Sequence, residues 1–239
     1  MSNLISIIIP VFNHAHTLEG CLRTVVWLSH NQSIELIIIN DGSTDNFHET
    51  LRKILEKYPD IKALNPIVID QPNLGAPVAR NRGFKRAHGE YIIFLDADTI
   101  CTPHMIDDLK IALEGNPQAS YVYSQFRFGW KKMMSHEFDP ELLKRINYID
   151  VTSLIRAKDF TPFDESLKRF QDWDLWLTML EQNKIGVFVP KVLFKKVVRG
   201  RKNISSWLPR FMYHLPWKSQ KVREYEAAKE IIIKKHDLM

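Results

Sequence analysis

The sequence predicts an α/β fold with a mostly parallel sheet flanked by helices, and three observations predict it. Four short runs, residues 5–11 (ISIIIPV), 34–40 (IELIIIN), 66–70 (PIVID) and 91–96 (YIIFLD), are apolar nearly throughout. Strands covered on both faces read this way, whereas half-exposed strands alternate. Helical patterns separate the runs, giving the order βαβαβαβ, which calls for parallel strands with helices on both faces. Polar groups then follow three of the four runs: Asn13, Asp41, and the pair Asp96 and Asp98. Ligands of such sheets bind at the carboxyl ends of the strands.

Each helix has its own apolar face. Residues 17–30 place Leu18, Cys21, Leu22, Val25, Val26 and Leu28 largely on one side, and residues 44–58 do the same with Phe47, Leu51, Ile54 and Leu55. Residues 75–89 form a third helix with Val78, Ala79 and Phe84 as core residues. Beyond Thr102 the regularity fades. The pattern there predicts a helix over 103–114, a strand over 121–126, a helix starting near Asp139, a helix over 170–183 with Leu175, Leu177, Met179 and Leu180 apolar, strands within 186–198, and a C-terminal helix. With no internal repeat or linker, residues 1–205 are expected to form one domain, and 206–239 a basic, aromatic extension packed on it or facing a membrane.

Composition narrows the function classes. Hydrophobic residues are 45% and charged residues 26%, enough to bury a core in an ordinary soluble domain. Cys21 and Cys101 are the only cysteines, too few for a disulfide framework and without metal-ligand spacing. Together with the lack of a signal-peptide pattern, this gives a cytoplasmic expectation. No run reaches the roughly 20 apolar residues of a membrane span. Charge is uneven: residues 191–239 hold 13 Lys and Arg against 4 Asp and Glu, whereas residues 1–190 hold 20 against 24. The basic end suits an anionic partner. Trp207, Phe211, Tyr213 and Trp217 among Arg201, Lys202, Arg210 and Lys218 match an interfacial membrane anchor or, equally, aromatics packed on the domain. A nucleic-acid partner is not expected, because a charged face alone is more often only solvated.

The pair Asp96 and Asp98, bracketing Ala97, ends an apolar strand. Two carboxylates sharing one site repel and raise each other's pKa, so the pair needs an open edge or a positive charge between its members. A hard divalent cation held by carboxylate oxygens and ligand phosphates would meet that need, and a simple strand-end turn is the bland alternative. In "NDGSTD" (40–45), Ser43 or Thr44 can cap the next helix, leaving Asp41 directed into the crevice. In "PNLGAPVARNRG" (72–83), Gly75 opens a helix whose free N–H groups suit anions, and Arg80 can face a phosphate or the acidic pair. In "RFQDWDLW" (169–176), Asp172 and Asp174 are two apart, so on a helix they face different sides and do different work.

These stretches, "SIIIPVFN", "IIINDGSTD", "QPNLGAPVARNRGFKRAHGEYIIFLDADT" and "FDESLKRFQDWDLWLTML", resemble in their order and spacing the signature of family 2 glycosyltransferases over roughly residues 3–205. The resemblance implies a GT-A type fold, a Rossmann-like sandwich that binds nucleotide-diphospho-sugars. It implies that Pro10, Phe12, Asn13, Asp41, Asn73, Gly75, Arg80, Asp96 and Ala97 line the nucleotide site, with Asp41 at the base. Asp98 would ligate Mg²⁺ or Mn²⁺, Asp172 would be the catalytic base, and Arg199 is a candidate diphosphate contact. Three departures stand out: Gln171 replaces the Glu of the family's Glu-Asp pair, the Gly-Gly before "FDESL" is missing, and the Gln-x-x-Arg-Trp signature of polymer-forming members is absent.

The implied reaction is inverting, metal-dependent sugar transfer from a nucleotide-sugar, UDP by family frequency, to a saccharide or lipid-linked acceptor. Surface polysaccharide or lipopolysaccharide assembly, at the cytoplasm or peripherally on the inner face of the membrane, would be its setting. Two alternatives stand beside it: a non-catalytic nucleotide-sugar-binding protein, and a sugar-phosphate nucleotidyltransferase. The latter would want a Gly-rich loop where "PVFNHAHT" stands.

Overall fold

A computed structural model of the chain describes residues 3–198 and 219–238. The chain runs β1 (Leu4–Val11), α1 (Ala15–Ser29), β2 (Ser33–Asp41), α2 (Phe47–Lys57), α3 (Pro59–Ala63), β3 (Ile67–Gln71), α4 (Ala76–Phe84) and β4 (Tyr91–Phe94). It continues with β5 (Thr99–Cys101), α5 (Met105–Glu114), β6 (Ala119–Phe128), β7 (Lys131–Lys132), α6 (Pro140–Arg145), β8 (Leu154–Arg156), α7 (Gln171–Glu181), β9 (Ile185–Lys196) and α8 (Gln220–Lys235). The described strands form one mixed sheet in the order β3-β2-β1-β4-β8-β6-β9-β5, with β7 on β6. β3, β2, β1 and β4 are mutually parallel. The antiparallel members enter with β8, which joins β4 to β6, and with β5, which closes on β9.

Three of the four apolar runs, β1, β2 and β4, bury both faces, whereas β3 lies at the sheet edge with Ile67 and Val68 exposed. Ile5, Ile7 and Ile9 of β1 enter a core with α1, α2 and α5, while Ile8 enters a second core with Ile37, Ile39, Phe94 and the α7 residues Trp173 and Trp176. α4 approaches β1 so closely that a Cβ on Gly83 would lie 2.3 Å from Ile8 Cγ2. One polar side chain interrupts β1. Ser6 is fully buried, lies opposite Glu35 of β2, donates its hydroxyl to Glu35 Oε2 at 2.5 Å and accepts from the Gly89 N–H at 2.9 Å.

Most predicted elements are present, with informative differences. β5 and β8 have three residues each, too few to show a period. The strand pattern of 186–198 is one strand, β9, whose register against β6 jumps from Val189 to Val192 past Pro190, which cannot donate a ladder bond. α6 starts where expected because Asp139 accepts hydrogen bonds from the Glu141 and Leu142 N–H groups. α2 starts later than expected, after Asn46 rather than Ser43 or Thr44, and no side chain caps it. Val78 and Phe84 are half-buried, while Ala79 is fully buried. Cys21 and Cys101 are buried free thiols. No described helix is long and apolar enough to cross a membrane.

α8 is tied to α7 by buried charge. Asp174, 2% exposed, accepts from His236 Nε2 at 2.8 Å and from Lys235 Nζ at 2.7 Å. His236 Nδ1 also meets Glu181 at 2.7 Å, and Lys235 also meets Asp164 at 2.6 Å. Ile232 enters the α7 core and the Tyr225 ring packs on Phe170. Arg199, Trp207, Phe211, Tyr213 and Trp217, with the basic residues among them, lie outside the described residues.

Burial works against a charged His236, but its bonds to Asp174 and Glu181 prevail and hold the imidazole above its ordinary value. Its contribution is therefore complete below the unfolded value of about 6.5 and fades as pH rises through the raised folded value. Urea unfolding should show wild type more stable than His236→Gln in acid, with the gap closing as pH rises. Asp174→Asn, which takes from buried His236 and the more exposed Lys235 their shared partner, should cost about 3 kcal/mol.

Candidate functional site

The site is built at the carboxyl ends of the parallel strands. Its outer part is a set of loops stitched by side chains. Asn13, in a left-handed conformation (φ 56°), accepts from the Thr44 N–H at 2.8 Å and the Asp45 N–H at 3.2 Å. Its own N–H donates to Ser43 Oγ, and Asp45 accepts from Ala15 N at the start of α1. Asp41, 3% exposed, accepts from Gln71 Nε2 at 2.7 Å and from the Leu74 and Gly75 N–H groups at 2.9 Å each. Gly42 (φ 70°) is required there, since a Cβ would sit 2.6 Å from Asn73 N. Asn13 and Asp41 thus shape the loops that follow β1, β2 and β3. Phe12 is 39% exposed, Asn73 is exposed, and Pro10 is half-buried in β1.

The inner part is ionic. A turn closed by the Thr99 N–H on Asp96 O directs Asp96 and Asp98 inward, with Ala97 buried between them. Arg80 of α4, 7% exposed, donates from Nη2 to Asp96 Oδ1 at 2.8 Å and from Nη1 to Gln171 Oε1 at 3.0 Å. Lys196, at the end of β9, reaches Asp96 Oδ2 at 2.8 Å and Asp150 Oδ2 at 2.7 Å. Burial raises the pKa of Asp96, but Lys196 and Arg80 outweigh it and hold the carboxyl well below the usual range. Burial likewise opposes the Lys196 charge, and Asp150 and Asp96 more than restore it.

Asp98 is in the opposite condition. Burial, then the neighbouring Asp96 charge, pushes it up to about 6 against the pull of Lys196. Its Oδ1 is buried and has no hydrogen-bond partner. Asp172, in the first turn of α7, is also raised, by burial and then by Asp150, although Asn147 and Lys196 oppose the shift. Four carboxylates therefore share this centre with two cations. The unmatched negative charge rests on Asp98 and Asp172.

That arrangement fits a divalent metal at Asp98. Carboxylate oxygen is the ligand type a hard cation takes, and Asp98 Oδ1 is the acid oxygen left open. Both oxygens of Asp96 are already engaged. No cluster of three or more His, Cys, Asp or Glu among the described residues is arranged to hold a metal, so further ligands would come from phosphate and water, as is usual for Mg²⁺.

The structure brings Arg80, Asp96, Asp98 and Asp172 to one charged centre, and places Pro10, Phe12, Asn13, Asp41, Asn73 and Gly75 at the ends of β1 and β2 and in the loops that follow β1 and β3. It separates Asp172 from Asp174, which faces α8. Asp150 and Lys196 escaped the sequence reading. The demand for a positive charge beside Asp96 was legible, yet nothing near Lys196 marks it as the supplier, and Asp150 lies in an irregular segment. Gln171 also gains a meaning: a Glu there would compete with Asp96 for the Arg80 charge, whereas the amide accepts one bond and anchors to Leu167 O through Nε2.

Among solved structures, TarS of S. aureus in complex with UDP-GlcNAc aligns over 97% of this chain and 71% of its own, at TM-score 0.68 and 19% identity. A mannosyltransferase from Pyrobaculum calidifontis, in complex with GDP-Man and Mn2+, aligns over 83% of this chain and 58% of its own, at TM-score 0.67 and 17% identity. Both share the GT-A fold. Among curated proteins, the uncharacterized glycosyltransferase YibD of Escherichia coli K12 is 40% identical over 114 residues, 47% of this chain and 31% of that protein. The glucosyltransferase WfgD of Escherichia coli, named for transfer from UDP-Glc to alpha-D-GlcNAc-diphosphoundecaprenol, is 26% identical over 85% of this chain and 80% of that protein. The chain spans about a third of the length of several curated relatives it matches. The family model described as glycosyl transferase family 2 matches residues 6–165, a span that holds the four parallel strands, the stitched loops and the acidic pair. By that match over well above half its length, the chain belongs to glycosyl transferase family 2.

Proposed function

We propose that the protein is an inverting, metal-dependent glycosyltransferase. It would move a sugar from a nucleotide-diphospho-sugar, with UDP as the nucleotide, to the hydroxyl of a saccharide or lipid-linked acceptor in surface polysaccharide or lipopolysaccharide assembly. The observation that carries this reading is the divided state of the acids: Asp96 is locked by two cations, while Asp98 keeps an open buried oxygen and Asp172 an elevated pKa. The nucleotide and lipid-linked acceptor are supported by the printed specificity of WfgD and by the UDP-GlcNAc complex of TarS. The metal is supported by the Mn2+ complex of the archaeal mannosyltransferase.

In this mechanism Phe12, Asn13 and Asn73 frame the nucleotide at the cleft mouth, with Asp41 fixing the loop beneath. Asp98 would hold Mg²⁺ or Mn²⁺, which when bound offsets charge on the departing diphosphate as a Lewis acid. Asp172 accepts the acceptor hydroxyl's proton as that oxygen bonds to the anomeric carbon and the carbon–oxygen bond to the diphosphate breaks. A carboxylate raised toward neutrality is a better base than a free one, provided it remains ionised. One base and one displacement give inversion. Arg80 and Lys196 keep Asp96 charged and fixed, and Arg199 is a further candidate for the diphosphate. The setting would be the cytoplasm or the inner membrane surface, with the C-terminal extension, 206–239, as a candidate membrane contact.

Calorimetric titration with UDP should show binding that requires Mn²⁺ and is lost in Asp98→Ala. Absence of binding to UDP, GDP and dTDP under every metal condition would overturn the reading. Asp172→Asn should keep Mn²⁺-dependent UDP binding while transfer falls about 10³-fold, the scale of a lost general base; near-wild-type transfer would remove this mechanism. Lys196→Met leaves Asp96 and Asp150 facing each other without their cation, and thermal unfolding should register a loss of about 3 kcal/mol.

A further inference from the structure

The β6–β7 hairpin presents features that neither the fold nor the transfer reaction uses. Trp130, at its turn, is 90% exposed, and Met134, just beyond it, is 75% exposed. Val198, in the adjacent segment, is 44% exposed. Beside these apolar groups runs a line of charge. Arg127 of β6 pairs directly with Lys132 of β7 on one side and with Lys195 of β9 on the other. All three side chains are exposed, and none has an acidic or hydrogen-bonding partner among the described residues.

Like charges directly opposite one another across strands destabilise a sheet. A row of three, each without a counter-ion, is most stable when something anionic lies along it. A large exposed aromatic ring is likewise uncompensated in water, and Trp favours the boundary where one side is apolar and the other wet. The two costs meet at one tip. A surface with a phosphate layer over an apolar interior relieves both, because cations stay at headgroup level while the apolar side chains enter. Single-stranded nucleic acid would use further aromatic faces for base stacking, whereas Met134 and Val198 accompany Trp130 here.

We propose that the β6–β7 hairpin is a membrane-docking tip: Trp130 and Met134 insert at the headgroup boundary of an anionic bilayer while Arg127, Lys132 and Lys195 meet its lipid phosphates. The next residue after Lys195 is Lys196, which faces the opposite way to Asp96 and Asp150. Docking therefore sets the lipid surface one residue along β9 from the acidic centre. Neither donor nor acceptor is needed for this contact, so it stands or falls apart from the transfer reaction.

The test is co-sedimentation of the full chain with phosphatidylcholine vesicles, with and without phosphatidylglycerol, in the absence of nucleotide. Wild type should partition to the anionic vesicles. Trp130→Ala should lower that partitioning several-fold, with Trp130→Phe retaining more of it. Replacing Arg127, Lys132 and Lys195 by Gln should lower it about fivefold per charge and abolish the preference for phosphatidylglycerol. Far-UV circular dichroism should be unchanged in all variants, as expected for exposed positions. The proposal is overturned by any of four results: no wild-type partitioning, either class of hairpin variant partitioning like wild type, loss only in a Trp207→Ala/Trp217→Ala variant, or stronger capture by single-stranded nucleic acid than by vesicles.

Discussion

Asp96 is held from both sides, by Arg80 on one oxygen and Lys196 on the other, and the inner site depends on this clamp. Breaking a buried ion pair by removing one member leaves a bare charge and costs far more than the pair contributes when intact. The clamp therefore fixes elements that are remote in sequence: α4, the turn after β4, and the end of β9. Through Lys196 it also reaches Asp150, whose charge bears on Asp172. Asp98 and Asp172 are the acids that the clamp does not satisfy. Both sit near enough to its charges to be perturbed, yet neither receives a cation of its own.

The second ionic cluster, around Asp174, stands on the other side of the same helix. α7 carries Asp172 toward the centre and Asp174 toward α8, two residues apart. The sheet-side core grips the helix through Trp173 and Trp176, whose indole N–H groups donate to Leu143 O and Ile149 O. α7 is thus fixed by aromatic packing within the domain and by charge from the C-terminal end of the chain. The segment between β9 and α8 carries Arg199 and the aromatic residues singled out in the sequence.

β1, β2 and β4 were legible because strands buried on both faces must be apolar throughout, and a run such as "IELIIIN" has few other uses; β3 reads alike in sequence, yet Ile67 and Val68 lie exposed on the sheet edge. β5 and β8 were not legible, since three residues cannot display a period and their pairing is set by strands far away in the chain. In the site, Asp96, Asp98 and Arg80 were readable as groups placed at a strand end or early in a helix. Asn13 and Asp41 were readable as polar, but their partners are backbone amides of neighbouring loops, which no side-chain pattern announces. Lys196 and Asp150 lie 100 and 54 residues from Asp96, and only the folded chain makes them neighbours. Asp174 was readable only as facing away from Asp172; His236, sixty-two residues on, makes it an anchor.

Ser6 carries a different kind of information. Because β1 and β2 are apolar on both faces, sliding one past the other by a residue would exchange isoleucine for isoleucine at most positions, and hydrophobicity would hardly resist it. Sheets of this type are open to alternative pairings unless something else fixes the alignment. The Ser6 hydroxyl, bonded to Glu35 across the strand gap and to the Gly89 N–H on the other side, has no equivalent partner after a shift. A slipped chain would take Glu35 from opposite that hydroxyl and leave Asn13 out of line with the amides of Thr44 and Asp45. One serine in a run of isoleucines thus separates a single native alignment from a set of near-degenerate misfolded ones.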